Sequence, residues 1–162
     1  MANPDRSIDP RIMESAKEEF LSKSYEQVSL RDICSKAGVT TGALYNRFSN
    51  KEELFEALVA PTLALIEKFS EQTESNSYSF LDTNELLTIW ELTPDTQAGI
   101  INMLYDNYDG FRLLLCHADG SRHANFLHDF VDDVTDRSYR FVEEAYSRGV
   151  CKFLIDKEEL HM

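Results

Sequence analysis

Apolar residues recur at helical spacing along almost the whole chain, and the strict alternation of a half-buried strand occurs almost nowhere. That restricts the fold class to all-α. Six glycines and four prolines are too few for many short strands joined by tight turns. With 162 residues the chain has room for one ordinary domain, or for a small domain joined to a larger helical one, and in either case for a sizeable core.

The N-terminal third breaks into short, sharply bounded helices. Ile12, Ala16, Phe20 and Leu21 repeat at helix period behind Asp9 and Pro10, which predicts a first helix over residues 10–23. Ser29 precedes Leu30, Ile33, Cys34 and Ala37, an i, i+3, i+4, i+7 stripe with Asp32 placed as in a capping box. Gly38 stops this second helix, because glycine enters the left-handed region without steric cost. Thr40 or Thr41 can cap a third helix, in which Leu44 and Phe48 share a buried face while Thr41, Tyr45 and Asn46 point elsewhere. A fourth starts with Ser49 and Glu52, or with Asn50 and Glu53, and runs to about residue 70–74 with Pro61 inside it, where a bend is expected.

Polar residues 70–79, SEQTESNSYS, read as a linker. Beyond them the spacing predicts helices over 82–91, 94–108, 109–117 and 121–148. The last is best supported: Ala124, Leu127, Val131, Val134, Ser138, Phe141 and Ala145 form one stripe, with Asp133–Arg137 and Asp136–Arg140 as i, i+4 pairs outside it. The domain organisation expected is 1–50, a connecting helix over 51–76, and a helical region over 77–162.

Two short helices joined by a glycine-containing turn and preceded by a packing helix form a helix-turn-helix. Charge supports that reading over a plain helical hairpin. Residues 1–55 carry eight Lys+Arg against nine Asp+Glu, whereas residues 56–162 carry eight against twenty. Within this acidic chain of net charge −13, the run from Ile33 to Lys51 contains no carboxylate and keeps Lys36, Arg47 and Lys51. Its TTGALYNR segment combines small residues, which let a backbone approach DNA, with hydrogen-bonding side chains for phosphates and base edges. Lys51 falls in the first turn of a helix, where the macrodipole disfavours a cation unless an anion such as phosphate is bound there.

The segment VSLRDICSKAGVTTGALYNRFSNKEELFEAL, with its Gly-Val turn, Ala-Leu-Tyr recognition-helix centre, terminal Phe and Lys-Glu-Glu-Leu helix start, closely resembles the DNA-binding domain of the TetR family of bacterial transcriptional regulators (TetR/AcrR type). The resemblance covers Ile12 to about Leu58. It implies a three-helix N-terminal DNA-binding domain followed by a helical effector-binding and dimerisation domain. It further implies that Ser29, Thr40, Tyr45 and Lys51 hold phosphates, and that Arg31, Thr41, Gly42, Asn46 and Arg47 lie near bases. The partners implied are double-stranded DNA bearing a palindromic operator, a small-molecule effector that releases a repressor, and a second copy of the chain. Cations are sparse in the recognition helix, so dimerisation is expected to matter for affinity. In such a family some aromatic and neighbouring residues after position 77 line an effector cavity; the candidates are Trp90, Met103, Asn107, Tyr108, Phe111 and His117, with His123 as a further orienting group. Asp156 and Glu159 start a helix that has barely begun at Met162, so the two long dimerisation helices of the family are expected to lie beyond residue 162, or dimerisation to use the 121–148 helix.

Other chemistry is poorly supported. Cys116, His117, Asp119, His123 and His128 cluster in sequence but lack metal-ligand spacing, and no phosphate loop, nucleophile elbow or zinc-protease motif occurs, so neither enzyme activity, cofactor nor metal is expected. Cys34, Cys116 and Cys151 form no C-x-x-C pair, which suggests a reduced, cytoplasmic setting. The first residues carry no export signal, and the greasiest segment, residues 58–66, is half the length a membrane span needs, so no membrane partner is expected. The rival reading is a helical protein-interaction module that keeps the helix-turn-helix scaffold without specific DNA binding.

Overall fold

The computed structural model describes residues 8–83 and 93–161. Among these the chain forms α1 (Ile8–Ser22), a 3₁₀ turn (Tyr25–Gln27), α2 (Leu30–Ala37), α3 (Thr41–Tyr45), α4 (Lys51–Thr83), α5 (Pro94–Asp106), α6 (Tyr108–Cys116), α7 (Phe126–Ser147) and α8 (Lys157–Leu160), with no strand. The all-α expectation holds. Among the described residues no helix is long and apolar enough to cross a membrane.

The chain divides into two compact units, one built from residues 1–63 and 107–126, the other from 64–106 and 127–162. In the first, α1 packs against α2 and α6, and α2 against α3. Its core takes in most of the set the helical spacing implied, but Leu21, Leu30 and Phe48 are only half-buried, Phe48 because α3 ends at Tyr45. Ile12, Ala16 and Phe20 from α1 meet Ile33, Cys34 and Ala37 from α2, Leu44 from α3, and Leu54, Phe55 and Val59 from α4, all buried. Phe20, Tyr25 and Phe55 form a ring cluster with centroids 5.0–5.8 Å apart, which adds geometric preference to area burial. Leu113, Leu114 and Ala118 close the core from the α6 side. Gly110 makes that closure possible: a Cβ there would stand 1.8 Å from Thr62 Oγ1.

In the second unit Leu81, Thr135 and Ala145 are the buried residues among those described. Ion pairs join its helices. Arg137 reaches Glu67 and Glu74, each at 2.9 Å, and Arg148 reaches Asp82 at 2.7 Å. Lys157 from α8 pairs with Asp136 of α7 at 2.5 Å, and Thr135 Oγ1 meets His161 Nδ1 at 3.1 Å.

Two expectations are corrected. Residues 70–79 are not a linker but part of α4, which continues through Pro61 to Thr83. Polar residues there form the solvent side of a helix, while Glu74 pairs with Arg137 and Tyr78 meets Phe141 edge-on at 5.7 Å. The helix expected from residue 121 begins at Phe126; residues 118–126 turn through Ser121–Ala118, Ala124–Ser121 and Phe126–His123 backbone bonds, opened by Gly120 at φ +89°. The apolar stripe of α7 is buried only toward its end: Ala145 is covered, whereas Leu127, Val131 and Val134 are exposed. Most of the helix expected over 82–91 lies outside the described residues.

Candidate nucleic-acid interface

The short α2 is fixed at both ends by its own sequence. Ser29, in extended conformation, accepts from the Arg31 amide through its Oγ at 3.2 Å, and its carbonyl accepts from Asp32 and Ile33. Gly38, at φ +64°, ends the helix, with Val39 donating to the Cys34 carbonyl at 2.9 Å. The left-handed turn is also held from outside. Arg11 of α1 donates through Nη2 to the carbonyls of Ala37 and Gly38, a cation at the negative end of the α2 dipole. Nothing in the sequence pattern marks Arg11 for this task, since the contact spans 26 residues.

Of the two candidate caps of α3, Thr40 is used: its Oγ1 accepts from the Ala43 amide at 3.1 Å. Of the two candidate starts of α4, Asn50 with Glu53 is used. Asn50 Oδ1 accepts from the Glu53 amide at 2.8 Å, and Glu53 returns a bond to the Ser49 amide at 2.7 Å, which holds its carboxyl below the usual range. A hydroxyl has one donor hydrogen besides its lone pairs, so the cap bonds of Ser29 and Thr40 consume only acceptor capacity and leave each O–H able to donate to a phosphate oxygen.

Leu44 turns inward, and Thr40, Thr41, Gly42, Tyr45 and Asn46 are exposed, Tyr45 to 54%. An aromatic residue this open on a short helix, beside two threonines and an asparagine, gives the outer face of α3 a hydrogen-bonding and stacking character. Gly42 has no internal reason to be glycine: its backbone is helical and a Cβ there would meet only Thr40 Oγ1, at 3.9 Å. Arg31 is exposed on the first turn of α2, with no ion pair among the described residues.

The three cations of the carboxylate-free run are engaged within the unit. Lys36 pairs with Glu18 at 2.7 Å and Glu19 at 3.3 Å. Arg47 folds back onto α1, its Nε donating to Asp9 and its Nη1 to the Ala43 carbonyl, with 16% of the side chain exposed. Lys51 Nζ donates to the carbonyls of Tyr25, Glu26 and Val28 at 2.8, 3.3 and 3.4 Å, and stands 4.4 Å from the Tyr25 ring centroid.

Behind this face the 118–126 turn grips α4. Tyr25 donates from its hydroxyl to Glu52 at 2.6 Å, and the Arg122 amide donates to the other Glu52 oxygen at 3.0 Å. Burial works to raise the Glu52 pKa, but the bonds from Tyr25 and Arg122 outweigh it and hold the carboxyl below its usual value. Burial, with Glu52 beside it, pushes the Tyr25 hydroxyl well up. His123 Nε2 lies 2.7 Å from Glu56, and Arg122 Nε 3.3 Å from the same oxygen.

The effector candidates do not all belong to one unit. Trp90 lies outside the described residues, Met103 belongs to the second unit, and Asn107, Tyr108, Phe111 and His117 belong to the first. Tyr108 is exposed, and His117 donates through Nδ1 to the Lys23 carbonyl at 3.1 Å, tying the end of α6 to the end of α1. Among the described residues no group of three or more His, Cys, Asp or Glu is placed to hold a metal ion.

Fold and face define the N-terminal region as a helix-turn-helix of the kind found in DNA-binding regulators. The sequence profile of the tetR family of bacterial regulatory proteins matches residues 12–58, the segment that holds the helix-turn-helix. The chain is similar to the Tn10 TetC protein of Escherichia coli, 35% identical over 80 residues that make up 48% of this chain and 41% of that one. It is also similar to the transcriptional regulator TtgR of Pseudomonas putida, 43% identical over 49 residues, 30% of this chain and 23% of that one. The matches thus span under half the length of these relatives. A transcriptional regulator from Aquifex aeolicus shares the fold over 88% of this chain and 75% of its own, with TM-score 0.51 and 23% identity.

Proposed function

We propose that this chain is a DNA-binding transcription regulator whose α2–α3 face reads a palindromic operator as half of a two-fold pair, and that it acts in the cytoplasm as a repressor released by a small-molecule effector. The observation that carries the reading is the outward set of Thr40, Thr41, Gly42, Tyr45 and Asn46 on α3, flanked by Arg31 and by the Ser29 and Thr40 cap hydroxyls. In this reading Ser29, Thr40 and Tyr45 hold phosphates, while Arg31, Thr41, Gly42 and Asn46 lie near bases. Arg47 fixes the end of α3 to α1 through Asp9 and acts on base reading through that placement.

Two recognition helices must meet successive major grooves about 34–36 Å apart, so an effector that shifts them by a small tilt weakens both contacts together. The coupling required is roughly 1–3 kcal/mol. Selection of bound duplexes from random DNA tests the proposal. A shared palindrome is expected, with affinity falling steeply with salt through counterion release. Rounds that enrich no common motif, with salt-insensitive weak binding, would overturn it in favour of a protein-interaction module.

A further inference from the structure

The helix α3 has little with which to orient itself. It is five residues long, and Leu44 is its one buried residue. A single side chain in a core fixes the depth of a helix but lets it pivot, so the angle of α3 to α2 is set at its ends. Both ends are held from α1. At the leading end, Arg11 Nη2 directs its two hydrogens at the carbonyls of Ala37 and Gly38, at 2.5 and 3.3 Å. Ala37 closes α2, so the guanidinium also meets the negative end of that helix's dipole. At the trailing end, Asp9, two residues before Arg11, accepts from Arg47 Nε, while Arg47 Nη1 holds the Ala43 carbonyl. Gly38 bears on the same contact. Its φ of +64° already favours glycine, and a Cβ there would stand 2.6 Å from Arg11 Nη2, so a side chain at 38 would push the guanidinium off the two carbonyls.

We propose that Arg11 is a positioning residue for DNA reading: its hold on the 37–38 carbonyls sets the angle of α3 against α2, and Asp9 steadies the far end through Arg47. The proposal rests on the DNA-binding reading and deepens it, since the outward residues of α3 are aimed from a helix that carries none of them. Thr40 caps α3 two residues after Gly38, so a shift of the turn passes directly to Thr41, Tyr45 and Asn46.

The test uses the full chain with Arg11→Met, which keeps the apolar stem and removes the donors, and Arg11→Lys, whose ammonium can turn hydrogens toward both carbonyls. Affinity for a duplex selected with the wild type is measured over a salt series and corrected for the folded fraction, so that a loss of stability alone does not register. Arg11→Met is expected to bind about tenfold more weakly, the equivalent of one base contact, at an unchanged salt slope. It should also discriminate less between the selected duplex and one with a changed base pair. Arg11→Lys is expected to recover most of both losses. Amide exchange at Gly38 and Val39, which donate to Ser35 and Cys34, should quicken in Arg11→Met. A further measurement needs no DNA: the loss of folding constant on Gly38→Ala should be about fivefold smaller in the Arg11→Met background than in wild type, because there the methyl displaces no guanidinium. The proposal is overturned if Arg11→Met binds and discriminates like the wild type, or if Arg11→Lys recovers nothing. It is overturned too if the slope of Arg11→Met falls by about 0.9 per chain, as on loss of a phosphate contact. Unchanged exchange at 38 and 39 together with additive stability losses would also overturn it, even if the wild type binds no duplex, in which case the DNA-binding reading fails separately.

Discussion

The first unit covers most of its large apolar residues, with Tyr45, Tyr108 and Leu115 the exposed ones among those described, and the second does not. In the first, Ile12, Phe20, Ile33, Leu44, Leu54 and Phe55 have no exposed surface, and side-chain bonds tie the segments that meet around them. In the second, Ile101, Leu104 and Tyr105 on α5, Leu127, Val131 and Val134 on α7, and the run Phe153–Ile155 are exposed, while much of the contact between helices is ionic. Exposed ion pairs contribute about 0–1 kcal/mol each, far less than burial of one large side chain. The difference teaches that the geometry of the candidate interface is set by a core the unit supplies itself, and that the second unit is the softer part of the described chain.

The largest test of that contrast uses one helix. Phe55 and Phe69 both lie on α4, the first buried in the ring cluster and the second 41% exposed. Phe55→Ala should cost about 3–5 kcal/mol and Phe69→Ala within about 1 kcal/mol, measured by denaturant unfolding. Comparable losses at both sites would abolish the distinction between the units. Glycines give a second comparison. Gly110→Ala drives a methyl into Thr62 and should destabilise by about 1–3 kcal/mol, whereas Gly99→Ala on α5 meets nothing within 4 Å and should stabilise by about 0.5–1 kcal/mol. Opposite or equal signs would mean that α6 does not depend on this close approach.

Gly42 separates folding from function within the first unit. Gly42→Ala should stabilise the free protein by about 0.5–1 kcal/mol, because nothing obstructs the methyl, yet weaken duplex binding if the α3 backbone approaches DNA there. A variant more stable and equally tight in binding would remove Gly42 from the interface. The smallest effect concerns acid. Glu52 is held below its usual carboxylate value of 4.5, so it contributes stability that is complete above that pH and lost as pH falls through the lower folded value. Between about pH 5 and pH 3 the wild type should therefore lose more stability than Glu52→Gln, in a titration followed by unfolding of the first unit. Parallel losses would show that the Tyr25–Glu52–Arg122 linkage does not contribute.

Much of the helix-turn-helix was legible in the chain because its determinants are local. Ser29, Gly38, Thr40 and Asn50 act on amides and carbonyls within a few residues, and the α2 stripe and Leu44 needed only the helical period to be assigned to a core. Where two caps were possible, Thr40 or Thr41 and Ser49 or Asn50, the pattern alone did not choose. Residues 70–79 were misread because polar composition is shared by linkers and by exposed helix faces; Arg137, more than sixty residues away, helps make this segment the latter. The turn at 118–126 was hidden for a similar reason, since the α7 stripe can be extended backward to Ala124 without meeting Gly120.

The sequence by itself determined an all-α chain, the helix-turn-helix with its Ser29 cap and Gly38 stop, the inward and outward faces of α3, and the charge asymmetry between the N-terminal region and the rest. Only the tertiary structure decided what the cations of the carboxylate-free run do. Lys36 is matched by Glu18 and Glu19, Arg47 by Asp9, and Lys51 by the carbonyls before Ser29, across 17 to 38 positions of sequence. Caps and stripes follow from hydrogen bonds and periodicity within a turn or two of helix, whereas a long charged side chain takes whichever partner the packed core brings within its reach.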